Sequence, residues 1–284
     1  MAGLSAACYL RERGWEVELL DKGRGVGGRV ATRRVTNAAG EQGRIDHGAQ
    51  FFTARAEPLR TWAKAFAREW YGDNEHRRFR GEQGMNDVAK AFAGGLDIHR
   101  EQRVVRLEQE KGWLAHTESG DVFEADAVIM TAPVPQALAI LDDSKIPYPD
   151  DLSAIEYDPC LAVLAVLDQP AGLSAPGVSE FKAGPVAWMA DNQVKGISDI
   201  PTLTLHATPE FSEQHFRGDR EIARQMMLEA VGIAAESFAV HGWLYARPRS
   251  TYPDFAPLIC EAPALYLAGD AFYAPRVEGQ RGNV

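Results

Sequence analysis

Residues 1–34 decide the reading of this chain: Met-Ala-Gly-Leu-Ser-Ala-Ala-Cys-Tyr-Leu-Arg-Glu-Arg-Gly (1–14), Trp-Glu-Val-Glu-Leu-Leu-Asp (15–21) and Lys-Gly-Arg-Gly-Val-Gly-Gly-Arg-Val-Ala-Thr-Arg-Arg (22–34). Gly3, Ala6 and Ala7 recur at helical spacing, and small side chains let a helix lie close against a sheet. Gly14 ends that helix. Val17 to Leu20 is short, apolar and closed by Asp21, which reads as a buried parallel strand. A helix, a strand and a terminal acid form the second half of a dinucleotide-binding βαβ unit, in which the carboxylate accepts hydrogen bonds from the adenosine ribose.

In the fingerprint Gly-x-Gly-x-x-Gly, Gly3 fits the last glycine, with Met1 and Ala2 as spacers. The strand and the first two glycines are therefore expected to be missing, through a misplaced start or a fragmentary chain. After Asp21, Arg24-Gly25-Val26-Gly27-Gly28-Arg29 sets paired glycines between two arginines. Glycines permit close backbone approach, and arginines offer forked donors to phosphate oxygens.

The segment Asp21 to Arg34 resembles the second FAD signature of the flavin amine oxidase superfamily. Five further segments resemble its renalase-like branch in the same order: Asp46-His47-Gly48-Ala49-Gln50-Phe51-Phe52-Thr53, Gly84-Met85-Asn86, Trp243 with Tyr245-Ala246-Arg247-Pro248, Leu267-Ala268-Gly269-Asp270, and Arg276-Val277-Glu278-Gly279. The fold this implies is α/β, a Rossmann-like FAD/NAD(P)-binding domain of the glutathione-reductase type with an antiparallel-sheet α+β substrate domain. The resemblance implies non-covalent FAD, contacted by Gly3, Asp21, Lys22, Arg24, Gly28, Arg29, Gln50, Val104, Ala132, Pro133, Gly269, Asp270, Val277 and Glu278. A helix should continue beyond Glu278; the chain stops at Val284, which is read as a second truncation.

Composition bounds the partners. With 284 residues, a formal net charge of -10 and a pI near 5.2, the chain is large enough for a sizeable core and too acidic for nucleic acid or an anionic membrane to be its main partner. Cys8, Cys160 and Cys260 are far apart and odd in number. Neither a disulfide framework nor a metal site is expected, and a reducing cytoplasm fits. No stretch has the length and apolarity of a membrane span.

Along the chain, Glu57 to Trp70 carries a helical apolar stripe and His76 to Arg80 reads as a solvated basic face. A helix is expected from Asn86 to Phe92 and strands over Leu96–His99 and Arg103–Leu107. Gly112–Thr117 and Val122–Glu124 should form a hairpin. Ala125 to Pro135 reads as a deeply buried strand and a proline turn, placing Thr131, Ala132 and Pro133 at a ligand crevice. Gln136–Leu141 should be a short helix, and 142–149 a linker at which the domains cross over. Beyond Tyr157, Leu161–Leu167, Val186–Met189 and Thr202–Ala207 read as strands, Glu221–Val231 as a helix, and Ala264–Asp270 as a buried strand returning to the nucleotide domain. The expected FAD domain is thus 1–55, 82–142 and 260–284, and the substrate domain 56–81 and 143–259.

Trp188, His206, Trp243, Tyr245 and Arg247 fall at strand positions and supply aromatic walls with a few polar groups. His206, Trp243 and Arg247 are the candidates for contacting substrate, while His47 is more readily a turn residue. The resemblance implies oxidation of isomeric dihydronicotinamide dinucleotides by hydride transfer to flavin, with molecular oxygen as acceptor. Two alternatives stand beside it: a flavin amine oxidase acting on a small amine, and an inactive fragment.

Overall fold

The computed structural model describes residues 1–55, 57–73, 76–253 and 256–272. Two compact units divide the chain: Met1–Gly28, Ala89–Glu156 and Arg247–Val284 form the first, Arg29–Val88 and Tyr157–Ala246 the second. Among the described residues no helix is long and apolar enough to cross a membrane.

In the first unit, the helix Ala2–Arg11 precedes the strand Glu18–Asp21, which pairs in parallel with Asp97–Arg100. The helix is anchored by Arg11, which donates to the Gly95 carbonyl, and by the Cys8 thiol on the Phe92 carbonyl. Ala127–Met130 runs parallel to Ala264–Leu267, which pairs antiparallel with Leu258–Cys260. Between these lies the antiparallel meander Val104–Gln109, Trp113–Thr117 and Val122–Ala125. Trp113 is wholly buried and its indole N–H donates to the Ala264 carbonyl at 3.0 Å. Together with Gln109 Nε2, which donates to the Ala262 carbonyl at 3.1 Å, that bond fastens the meander to the start of the returning strand.

The second unit is built on an antiparallel sheet of five strands: Val178–Glu180, Val186–Asp191, Thr202–Ala207, Tyr157–Val166 and Ser237–Pro248, in that spatial order. The last strand runs past the boundary of the unit by its final residues. Side chains alternate across the sheet. Leu161, Val163, Leu203, Leu205, Phe211 and Met227 pack on one face with the helices Pro209–His215 and Arg220–Val231. Thr208 and Asp219 cap those two helices by accepting from the backbone N–H groups of Phe211 and Glu221. On the opposite face Ala162 and Leu164 meet Ile45 from the hairpin Thr32–Thr36/Gln42–Asp46. A small sheet, ordered Phe52–Thr53, Arg78–Arg80 and Arg68–Tyr71, completes the unit together with the helix Glu57–Phe66.

Several expectations are corrected. The strand ending at Asp21 is only half-buried, because it has a neighbour on one side alone among the described residues. The strand Ala127–Met130 buries only Met130, for its companion sheet is small. The helix from Glu57 stops at Phe66, and Trp70 lies on a strand: aromatic residues suit a pleated pair, and Glu69 finds its partner in Phe79. His76–Arg80 is not simply a solvated face, since Phe79 is buried within a central strand. Residues 142 and 143 close the helix Val134–Asp143 and do not begin a linker; the units change over at Glu156/Tyr157. Compactness also groups 29–55 and 82–88 with the antiparallel sheet, because the Thr32–Asp46 hairpin packs on the strand Thr202–Ala207. Residues 143–156 and 247–259 fall in the first unit.

Leu205 is fully buried at the centre of the five-stranded sheet. Leu205→Ala is expected to cost about 2–5 kcal/mol through lost transfer energy and a residual cavity, read as a lowered urea midpoint.

Candidate functional site

In the first unit, Asp21, Lys22, Ala132, Pro133, Gly269 and Asp270, expected to hold a dinucleotide, stand at or just beyond the carboxyl ends of its parallel strands. Asp21 closes one strand, and its Oδ1 accepts from the Gly23 N–H at 2.7 Å. Lys22 is exposed and donates to Gln136 Oε1 at 2.9 Å; partial desolvation of its ammonium, then Arg103, lowers its pKa, against the pull of Asp21. Arg24 is exposed, and Gly27 and Gly28 take φ of 106° and 58°, which bends the backbone as only glycine does without strain. A side chain on Gly28 would meet nothing within 4 Å, so the loop borders open space. Gly3 brings the helix Ala2–Arg11 against the end of another strand, where a Cβ would stand 3.0 Å from Thr131 Oγ1. Ala132 and Pro133 follow directly, and the Pro133 carbonyl starts the next helix by accepting from Gln136 and Ala137. Gly269, at φ 146°, and buried Asp270 follow the strand Ala264–Leu267. Val104 begins its strand half-buried. Val277 and Glu278 lie outside the described residues.

This donor set fits the ribose and pyrophosphate of a dinucleotide. An acid ends a parallel strand, a glycine arc borders open space, and a helix start lies close enough to a neighbouring strand that its second residue, Gly3, is a glycine.

The second unit holds a more deeply buried assembly, centred on Lys195. This lysine is 2 % exposed, and its ammonium donates to Asp46 Oδ2 at 2.7 Å and to the Gln50 carbonyl at 2.7 Å. Asp46, 0 % exposed, uses its other oxygen to accept from Thr32 Oγ1 at 2.5 Å and from the Met85 N–H at 2.8 Å. Burial pulls the Lys195 pKa down, and the adjacent Asp46 carboxylate pushes it back up. The Gln50 amide donates to the carbonyls of Asp46 and Gly48, and Thr204 Oγ1 also donates to the Asp46 carbonyl. Gln50, expected as a cofactor ligand, has its side-chain amide bonded within the turn 46–50.

That turn carries the expected His-Gly-Ala segment. Gly48 is required by packing: a Cβ there would lie 1.9 Å from the Arg29 carbonyl oxygen. The His47 carbonyl accepts from Trp243 Nε1 at 2.8 Å and from His206 Nε2 at 3.3 Å, so two of the three expected substrate-contact residues converge on it. Arg247, the third, is exposed and belongs by compactness to the other unit. Arg29 donates to the carbonyls of Tyr245 and Ala246 at 3.1 and 3.2 Å, bracing the strand that bears Trp243. The His47 ring stacks on Trp243, centroids 5.5 Å apart, and meets His241 edge-on at 4.9 Å. Burial first, then His241, lowers the His47 pKa to about 4; burial, with Lys195 adding to it, takes His206 to about 4. Both imidazoles are neutral at pH 7.

Sequence reasoning missed Lys195 and His241. His241 stands two residues from Trp243 on one strand, and that alternation marks it for the same face. Lys195 sits in the polar run Asp191-Asn192-Gln193-Val194-Lys195-Gly196, which carries no signal of burial.

The fold and these residues define a nucleotide-binding α/β protein with an antiparallel second unit. A family model for flavin containing amine oxidoreductase matches residues 59–280, and one for an NAD(P)-binding Rossmann-like domain matches residues 1–68. The chain belongs to the flavin containing amine oxidoreductase family, and the cofactor this implies for it is non-covalent FAD. Among solved structures, it is similar to a putative protoporphyrinogen oxidase from Exiguobacterium sp. 255-15, at 16 % identity and TM-score 0.56, over 75 % of this chain and 51 % of that one. The chain thus spans about half of that enzyme's length. It is also similar to putrescine oxidase bound to putrescine, at 15 % identity and TM-score 0.61, over 99 % of this chain and 94 % of that one. A Pyrococcus furiosus protein matches at 14 % identity and TM-score 0.60, over 99 % of this chain and 93 % of that one. At these identities the likeness is one of fold.

Lys195→Met leaves the Asp46 carboxylate buried without its counterion, and is expected to cost about 3–5 kcal/mol; the double variant Lys195→Met/Asp46→Asn should lose less than the sum of the singles, as read by urea unfolding. The two depressed histidines set a pH dependence. Between about pH 4 and 6.5 the unfolded chain binds protons that His47 and His206 in the folded chain do not, so stability falls as pH drops through that window. Thermal midpoints measured against pH should show that slope, and His206→Gln should flatten it.

Proposed function

We propose that this protein oxidises isomeric dihydronicotinamide dinucleotides, as the renalase-like branch does, by hydride transfer to FAD with oxygen as the final acceptor. FAD, when bound, supplies a two-electron acceptor that oxygen can reoxidise. In this reading Gly3, Asp21, Lys22, Arg24, Gly28, Val104, Ala132, Pro133, Gly269 and Asp270 hold the cofactor. The first unit is then the cofactor-binding part and the antiparallel unit the substrate part.

The observation that supports the reading is the charge make-up of the aromatic face in the second unit. His47 and His206 are neutral, Trp188, Trp243 and Phe51 offer flat rings, and the buried Asp46 carboxylate is cancelled by Lys195. Flat rings suit a dihydropyridine, and neutral imidazoles offer hydrogen bonds without repelling the cationic ring that forms. The substrate's ring carbon loses hydride and the ring becomes aromatic nicotinamide. Oxygen takes up that hydride equivalent with one proton from solvent and leaves as hydrogen peroxide. No side chain has to remove a proton from carbon, so histidines that stay neutral suffice.

A second reading, oxidation of a small amine, draws on the fold shared with putrescine oxidase and on Glu180. Glu180 is exposed and lies opposite Trp188 on the neighbouring strand, where it could face an ammonium group. Anaerobic mixing separates the two. Flavin absorbance is expected to bleach at once with dihydronicotinamide isomers and to persist with putrescine; the reverse pattern rejects the proposal. Purified protein without flavin bands, and unable to take up added FAD, would mark the chain as an inactive relic.

A further inference from the structure

Arg78 occupies the central strand of the small sheet in the second unit, directly across from Tyr71 in the strand register. Cross-strand neighbours share a face, and the Arg78 guanidinium accordingly lies 4.6 Å from the Tyr71 ring centroid and 5.0 Å from that of Phe51. It is half-buried, and among the described residues no carboxylate forms an ion pair with it and its Nε is without a hydrogen-bond partner. Around the same Phe51 ring stand Trp188, at 5.9 Å, and Tyr71, at 6.4 Å. The Trp188 indole N–H and the Tyr71 hydroxyl are buried and likewise lack partners. Glu180 acts on Tyr71 through its field without pairing with Arg78.

A buried donor without an acceptor is costly, so three such groups around one ring call for an acceptor from outside the chain. A guanidinium stacked on aromatic rings keeps its charge and its fork for an anion. We infer that Arg78, with Tyr71 and Trp188, forms an anion subsite that takes a phosphate of the dinucleotide substrate. This rests on the proposed substrate class and deepens it: the subsite gives the protein its preference for phosphate-bearing dihydronicotinamides over phosphate-free ones, and opposes a cationic amine.

The test compares two substrates on the FAD-loaded enzyme at low salt: a dihydronicotinamide dinucleotide isomer and the corresponding dihydronicotinamide riboside, which lacks phosphate. Arg78→Gln is expected to lower the ratio of kcat/KM for dinucleotide over riboside at least tenfold, chiefly through KM of the dinucleotide. Arg78→Lys, which keeps the charge and loses the fork, should fall between. Binding is followed independently by quenching of tryptophan fluorescence with ADP-ribose, which cannot turn over. Wild-type protein that quenches and an Arg78→Gln variant that does not, both with the same thermal midpoint, support the subsite even if no dihydronicotinamide is oxidised, in which case only the substrate reading fails. An unchanged ratio together with unchanged quenching overturns the inference, as does wild-type protein that ADP-ribose does not quench at millimolar concentration.

Discussion

The buried ion pair between Lys195 and Asp46 is the constraint on which the second unit depends. Two charges taken out of water are tolerated only where each is fully hydrogen-bonded, and here the demand of each group recruits a different part of the chain. Asp46 draws in Thr32 from the hairpin and the Met85 N–H from the start of a helix, while Lys195 draws in the Gln50 carbonyl. Segments far apart in sequence are thereby held to one carboxylate, and the turn between Asp46 and Gln50 has little freedom. Hydrophobic packing alone would hold the same segments together with less definition of backbone direction.

The histidines gain from that order. His47 stays neutral because it is enclosed by Trp243 and His241, and its carbonyl is fixed from two strands at once by Trp243 and His206. A chain with a net charge of -10 therefore contains a local region of neutral rings with a buried, cancelled carboxylate and a guanidinium that, among the described residues, has no ion-pair partner. The global balance is thus no guide to the local one, which is set by these few groups.

Much of the architecture was legible because it rests on local chemistry. The small-residue helix, the acid at the strand end, the helices from Asn86 and Arg220, and the strands around Leu161, Val186 and Thr202 follow from side-chain period and breakers. The failures have a common cause. Trp70 was read with the helix before it because an apolar residue at helical spacing fits a strand position equally well, and only pairing with Arg78–Arg80 decides. The burial of Ala127–Met130 and Val17–Leu20 was overestimated because an apolar run says nothing of how many neighbours its strand will find. Of the site, Trp243 and His206 were legible as aromatic and polar groups on strands. Lys195 was not, since a lysine in a polar loop looks solvated until its partner, distant in sequence, is in place; the same distance hid the internal role of Gln50.

The way the chain weaves between its compact units has a consequence for its synthesis. The antiparallel unit has all its residues once Ala246 has left the ribosome, so its sheet, its ion pair and its histidine cluster can form while the chain is still growing. The first unit must wait: Ala127–Met130 has no parallel partner, and Trp113 no carbonyl to bond, until 264–267 emerges. The Ala127–Met130 edge therefore stays open from its own emergence until 264–267 follows, and only for the last stretch, between Ala246 and Leu267, does it wait beside a unit that already has all its residues.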